Sequence, residues 1–371
     1  MELFPVNIAT GKAFCNRDQE RKLLKKLTTH GRHTVLIAPR RYGKTSLINQ
    51  VLLELKFPYC LMELTITTSV EEVEQMMIKH ISHLLSTLLP RTTKAKQNLL
   101  KLFTWLNPEL VLTAGGQKLI LHPERAKLSA TENISELLKK LDSAAILAKK
   151  RVVVVMDEFQ QLSNIQGHTV EAAIRHAMQY SKQTSYIFSG SHRNMLLAMF
   201  NSKNRPFYNS CEIIKLNRIT QEYYEPFIQE AAKARWNKPL SQTALEKIFS
   251  LSNCHPSYVN RICGYFWLLN EFPTPVRIEH YWQDFIQSGH AEFTADILSL
   301  SNNQKKVIAY LANYPVKHAT THEVCRNIGL PESSIRQALK KLLQGDYLYK
   351  DKEDVIRVLD PALRDFLKSF N

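Results

Sequence analysis

Eight consecutive residues carry the most specific chemistry in this 371-residue chain: Ala38-Pro39-Arg40-Arg41-Tyr42-Gly43-Lys44-Thr45. In a loop of this pattern, successive backbone N–H groups point into one concavity and meet phosphate oxygens. The helix start that follows adds the positive end of its dipole. Gly43 lets the backbone approach without a Cβ, Lys44 reaches the β- and γ-phosphates, and Thr45 offers its hydroxyl to Mg²⁺. Pro39, Arg40, Arg41, Tyr42 and Ser46 complete the candidate nucleotide-contacting set. Ala38 departs from the pattern, which begins with Gly. If that position requires a positive φ, Ala costs about 1 kcal/mol. A second constellation, Asp157-Glu158, closes the apolar run Val152–Met156. Asp157 is suited to hold Mg²⁺, largely through water, and Glu158 to orient and deprotonate an attacking water. Taken alone, an acidic pair at a strand end is as readily a solvated cap; the phosphate loop upstream favours the catalytic reading.

These residues need a scaffold, and the surrounding pattern supplies one. Residues 16–30 have helical spacing, with Leu23, Leu24 and Leu27 on one side. Thr34–Ile37 is a short β run leading into the loop, and 45–55 is an amphipathic helix. Strands are expected at 59–65, 152–156, 185–189 and 212–216, with helices at 132–150 and 169–180 and across 69–105, broken at Pro90. A continuous apolar run such as Val152–Met156 suits a strand buried on both faces of a parallel sheet. Strands alternating with helices predict βαβ units and a three-layer α/β fold. Residues 107–121 show two apolar runs around Ala114-Gly115-Gly116, a hairpin inserted beside that sheet. From 220 to 290 the sequence reads as helical throughout.

The charge of +15 lies mainly in the first part of the chain: +13 over residues 1–215, −1 over 216–295 and +3 over 296–371. A basic excess fits a polyanionic partner or simply a solvated basic surface. Cys15, Cys60, Cys211, Cys254, Cys263 and Cys325 include no C-x-x-C pair. That spacing suits reduced thiols in a cytoplasmic protein better than a disulfide frame or a zinc site. The N-terminus lacks the basic-then-apolar order of a signal peptide. No apolar run approaches the roughly 18 residues of a membrane helix.

The stretches IAPRRYGKTSL and VVVVMDEFQQL resemble the archaeal-type ATPases, in the STAND branch of the AAA+-related P-loop ATPases. Phe14–Glu20 is similar to that family's F-x-x-R-x-x-E segment, and Phe188-Ser189-Gly190-Ser191 to its Gly-Ser turn after the next strand. Arg205-Pro206-Phe207-Tyr208 with EIIKL and Leu216-Asn217-Arg218-Ile219 resembles a further block. Asn253–Tyr258 resembles the N/H-P-x-Y helix start. The resemblance covers about residues 13–270. It implies a P-loop NTPase core with sheet order 5-1-4-3-2 over residues 1–217, a helical lid over 218–295 and a winged helix-turn-helix over 296–371. ATP as the nucleotide also comes from the resemblance; no guanine-specifying N-K-x-D motif is present. In this fold the strand 185–189 ends facing the γ-phosphate. Ser191 follows it, and Arg193 becomes a candidate sensor or stabiliser of transition-state charge. Arg205 is a second such candidate, acting across a subunit boundary in a homo-oligomer. For both arginines a surface or salt-bridged role is the plain alternative. Arg40 and Arg41 face solvent or dock the lid, and His255 reads as a helix cap, with Pro256 in the first turn.

Residues 301–313, 320–329 and 331–344 read as three helices, with Gly329-Leu330-Pro331 turning between the second and third. Tyr347–Lys350 and Val355–Val358 follow as a two-stranded wing. The third helix, 331–344, is the candidate recognition helix, with Ser333, Ser334, Arg336, Gln337 and Lys340 on or near its exposed face. Lys340, Lys341 and Lys350 could meet DNA phosphates, whereas Asp351, Glu353 and Asp354 at the wing tip would repel them. DNA and a protein partner therefore both stay open. Three functional readings follow: a Mg²⁺-dependent ATPase of low turnover that switches the winged helix, a non-hydrolysing, nucleotide-stabilised module that recruits nucleic acid or protein, and an interaction protein whose basic N-terminal domain meets nucleic acid or acidic lipid.

Overall fold

The computed structural model describes residues 3–114, 116–122, 128–165 and 168–369. The chain forms two compact units, one of Arg17–Arg40 and Lys44–Leu216, the other of Met1–Asn16, Arg41–Gly43 and Asn217–Asn371.

The first unit is built on strands β1 (Thr34–Ile37), β2 (Tyr59–Glu63), β3 (Glu109–Thr113), β4 (Gly116–Ile120), β5 (Val152–Asp157), β6 (Thr184–Gly190) and β7 (Glu212–Lys215). Five of them form a parallel sheet in the order β2-β5-β6-β1-β7. Consecutive side chains on a strand point to opposite faces. Unbroken burial along β1 and β6, and through Met156 on β5, therefore means that both faces of the sheet are covered. Helix Lys44–Leu55 leaves β1 directly. Helix Val70–Thr87 is capped by Ser69, whose side chain accepts from Glu72 N, and Ala130–Ala148 starts with a capping box made by Ser129 and Glu132. Each cap satisfies backbone donors that a helix start leaves without partners.

β3 and β4 pair antiparallel as a separate hairpin, in register from Glu109↔Ile120 to Thr113↔Gly116. Of the expected Ala114-Gly115-Gly116 turn, Gly115 lies outside the described residues. The hairpin docks on helix Val70–Thr87: Leu119 is buried, and its N–H donates to Ser86 Oγ at 2.9 Å. The structure adds a helix the pattern reading did not contain, Arg193–Asn201 between β6 and β7. Its Phe200 joins Phe159, Phe188 and Phe207 in a buried aromatic cluster with ring centroids 4.5–5.9 Å apart.

In the second unit, helices Gln221–Trp236, Gln242–Ser252, Pro256–Leu269, Pro275–Ser288 and His290–Leu298 follow one another. The N-terminal segment packs here, with Phe4 edge-on to Phe227 and Trp267. Gly264 makes room for it, since a Cβ there would lie 2.7 Å from Phe4 O. Then come helices Asn302–Asn313, His322–Ile328 and Glu332–Gln344, the antiparallel pair β8 (Leu348–Lys350) and β9 (Ile356–Val358), and a last helix, Pro361–Lys368. That last helix extends the sequence expectation. Asp360 caps it, accepting from Ala362 N and Leu363 N, and also accepts from Tyr258 Oη at 2.8 Å. Among the described residues no helix is long and apolar enough to cross a membrane.

One buried carboxylate fixes where β6 begins. Asp142, on helix Ala130–Ala148, accepts backbone N–H bonds from Lys182, Gln183 and Thr184 at 3.0, 2.8 and 2.8 Å. Removing it leaves three backbone donors without this partner. Asp142→Ala is expected to lower stability by about 2–4 kcal/mol, measured by urea unfolding of the full chain; a loss below about 0.5 kcal/mol would show that the carboxylate does not hold the strand.

Candidate functional site

The sheet order puts β6 between β1 and β5, so the C-terminal ends of these three strands form one edge. Ile37 pairs with Gly190, and Met156 with Phe188. In open α/β sheets ligands bind beyond that edge. The chain leaves β1 through Ala38, Pro39 and Arg40, and helix Lys44–Leu55 begins on the same side. Ala38, Pro39, Lys44 and Ser46 are buried, whereas Arg40 is exposed.

Asp157 is the centre of the geometry. Its Oδ2 accepts from Thr45 Oγ1 at 3.2 Å, and its Oδ1 accepts from Ser189 Oγ at 2.6 Å and from Glu158 N at 3.0 Å. Lys44 donates from Nζ to Ala38 O and Pro39 O, both at 3.1 Å, which keeps the ammonium on the inner side of the loop. Thr45 and Asp157 offer Mg²⁺ a hydroxyl and a carboxylate side by side. These hard oxygens suit an ion that keeps most of its ligands as water and phosphate.

Glu158 sits in the left-handed region at φ 52°, a conformation that costs a non-glycine residue on the order of 1 kcal/mol. The next residue, Phe159, anchors that turn in the aromatic cluster. Glu158 Oε2 accepts from Ser191 Oγ at 2.8 Å, from Ser191 N at 3.3 Å and from Gln160 Nε2. Burial pushes the carboxyl up, but the bonds from Gln160 and Ser191, with the Lys44 charge, outweigh it and hold the group below the ordinary carboxylate range. The lowering favours the ionised carboxylate, the form that a general base requires.

Lys44, Thr45, Asp157, Glu158 and Ser191 are thus gathered at one edge. Ser189 and Gln160 join them, and neither was expected from the sequence. The available signals were a serine closing an otherwise apolar strand and a glutamine two residues after the acidic pair. Arg193 opens helix Arg193–Asn201, two residues beyond Ser191. Arg205 is not placed as a free finger: its Nη2 pairs with the fully buried Glu171 at 3.1 Å and donates to Ser163 Oγ at 2.8 Å. A buried carboxylate needs such a partner.

Arg41–Gly43 belong to the second compact unit. There Arg41 is exposed and lies 4.0 Å from Glu292. Tyr42 is buried edge-on to His255, with centroids 4.9 Å apart. His255 takes the N-cap position of Pro256–Leu269 without a side-chain cap bond. Burial, reinforced by the charges of Arg218 and Arg41, pushes its ring down to about 3, so it is a neutral aromatic spacer. Arg218 donates to Tyr42 Oη at 3.0 Å, Asn253 O at 2.7 Å and Leu359 O at 2.6 Å, and lies over the Tyr349 ring.

An α/β unit on a five-stranded parallel sheet, with this loop and these carboxylates at one edge, matches the core of a P-loop ATPase. Solved structures share the fold: a Walker-type ATPase of Pyrococcus abyssi superposes with a TM-score of 0.72 at 16% identity, covering 99% of each chain. The ORC2 protein of Aeropyrum pernix, in ADPNP–ADP complexes, gives 0.55 at 10% identity, covering 95% of this chain and 93% of its own. The same protein in its ADP form gives 0.52 at 11%, covering 99% and 97%. No protein-family model matches the sequence, and no curated protein sequence matches it.

Ala38 is explained by the loop's dihedrals. The positive-φ positions in the loop are Arg41, at 61°, and Gly43, at 86°; Ala38 is not one of them. The left-handed cost expected for Ala38 therefore does not arise, and Arg41 carries it instead. Ala38→Gly should leave affinity for a Mg²⁺–ATP analogue within about twofold and lower stability by roughly 0.4–1 kcal/mol, through the freer unfolded chain. Calorimetry and thermal unfolding test this, and a tenfold gain in affinity would show that the Cβ obstructs the phosphates.

Proposed function

We propose that this chain is a Mg²⁺-dependent switch ATPase of the STAND/AAA type that binds ATP, hydrolyses it slowly, and couples nucleotide state to a C-terminal winged helix. In this reading residues 1–217 are the core, 218–295 the lid and 296–371 the winged helix. The observation that carries it is Asp157 joined to both Thr45 and Ser189, with Lys44 and the ionised Glu158 at the same sheet edge. Backbone N–H groups of residues 39–45 and the Lys44 ammonium would hold the phosphates. Thr45 and Asp157 would hold Mg²⁺, which neutralises phosphate charge when bound. Glu158 would take the proton of the attacking water, and Arg193 would stabilise charge as it develops. The fold likeness to a Walker-type ATPase and to a protein solved with ADPNP and ADP supports ATP as the nucleotide.

Arg218 supports the coupling. One guanidinium joins Tyr42, in the middle of the phosphate loop, to Leu359 and Tyr349, beside and within the wing strands. For the winged helix, Ile335, Ala338, Leu339 and Leu342 bury one face of Glu332–Gln344, leaving Ser333, Arg336, Gln337 and Lys340 exposed. At the wing tip, Asp351 is engaged: it accepts from Glu353 N and Val355 N and pairs with Arg357 Nε at 2.7 Å. Part of the acidic charge that would repel DNA is thereby neutralised, which favours DNA as the partner.

Two measurements test these assignments. Glu158→Gln is expected to cut Mg²⁺-dependent phosphate release on the order of a hundredfold or more while analogue affinity holds within a few-fold. Nucleotide retained by the unaltered protein without turnover would instead establish the non-hydrolysing module. Duplex-DNA binding should weaken steeply between about 50 and 200 mM salt, and Lys340→Ala should lower the salt slope by about 1. Binding indifferent to salt, or none, would assign the exposed helix face to a protein.

A further inference from the structure

We infer that Gln160, seated in a slot that exists because residue 190 is glycine, is a positioning residue that fixes the Glu158 carboxylate for hydrolysis. The inference rests on the hydrolytic reading above and adds to it residues that neither loop nor acidic motif assigns.

The Gln160 side chain is almost fully buried at 1% exposure. Its Nε2 donates to Glu158 Oε2. Its Oε1 is buried and has no hydrogen-bond partner among the described residues. Leaving an amide oxygen in that state costs roughly 1–3 kcal/mol. Turning the amide over would be worse, since its oxygen would then face a carboxylate. An apolar side chain of the same length would avoid the cost altogether. The amide is therefore a poor choice for packing and a good one for presenting a donor to Glu158.

Gly190 points the same way. It ends the buried β6, where glycine has no side chain to pack and weakens the strand. It does not adopt a positive φ, so backbone conformation does not require glycine. Space does: a Cβ at residue 190 would lie 1.9 Å from Gln160 Oε1 and 3.0 Å from its Cδ. Strand β6 gives up a side chain so that the amide can lie against it.

The grip has a direction. Gln160 Nε2, Ser191 Oγ and Ser191 N all converge on the same oxygen, Oε2. Glu158 Oε1 accepts no hydrogen bond among the described residues. Three donors on one oxygen oppose rotation of the carboxylate, and they leave the other oxygen to accept a proton from water. A base held in this way keeps its geometry when the substrate arrives, and displacement of a reacting group by about 1 Å can cost on the order of a hundredfold in rate.

The test uses the full chain carrying Gln160→Met, which keeps the volume and removes the donor. Single-turnover ATP cleavage, KM, affinity for a Mg²⁺–ATP analogue and thermal unfolding are measured together. Cleavage should fall about 10- to 100-fold, with KM and analogue affinity within about twofold and the unfolding temperature no lower. Gly190→Ala, which displaces the amide without changing it, should reproduce the loss of rate. In a Glu158→Gln background, Gln160→Met should have no further effect. Unchanged cleavage in Gln160→Met overturns the inference alone. So does a lowered unfolding temperature with cleavage falling only as the folded fraction falls, since that is a packing role. If the unaltered protein does not hydrolyse ATP, or Glu158→Gln hydrolyses it undiminished, the hydrolytic reading fails and this inference fails with it.

Discussion

The Asp157 carboxylate is the interaction on which the arrangement depends. Its oxygens hold Thr45, 112 residues away in sequence, Ser189, 32 residues away, and the N–H of its own successor. Each bond joins a different piece of chain to the end of β5. Thr45 lies in the first turn of helix Lys44–Leu55, Ser189 lies on the strand between β5 and β1, and Glu158 N starts the left-handed turn. A neutral or shorter side chain could not accept all three. The buried sheet beneath supplies rigidity, and this carboxylate converts it into a fixed relation between the loop, the strand and the backbone at Glu158.

Strand β6 is the second element of that design, and it is secured at both ends by carboxylates it does not contain. Asp142 takes the N–H groups at its start, and Asp157 takes Ser189 near its finish. Between them every residue of the strand is buried. The aromatic cluster of Phe159, Phe188, Phe200 and Phe207 then ties the turn after β5 to the helix and segment after β6. Hydrophobic packing here serves placement as much as stability, since the residue after Glu158 is one of its members.

Much of this was legible from residue types and spacing. The continuous apolar run at Val152–Met156 suits a strand buried on both faces, and it forms one; Gly43-Lys44-Thr45 after a short β run predicts the turn from strand into helix that is seen there. What was not legible has physical reasons. Helix Arg193–Asn201 buries Leu196, Met199 and Phe200 against the aromatic cluster, and an apolar stretch that short does not separate helix from strand. The last helix did announce itself, because Asp360-Pro361 is a cap followed by a first-turn proline, but it lay beyond the wing expected to end the fold. Ser189 and Gln160 were hidden because their importance comes from residues that are neighbours only across the sheet. Arg205 showed the reverse: its type suggested chemistry, and the buried Glu171, invisible as such in the sequence, claims its charge.

Arg218 has a consequence for how the second compact unit is held together. A guanidinium is flat, and its donors point in fixed directions. Here one plane serves Tyr42 Oη, Asn253 O and Leu359 O while its face covers Tyr349. A shift that lengthens one bond tilts the plane away from the others, so each contact constrains the rest. Four stretches of chain far apart in sequence are thereby registered against one another by a single side chain.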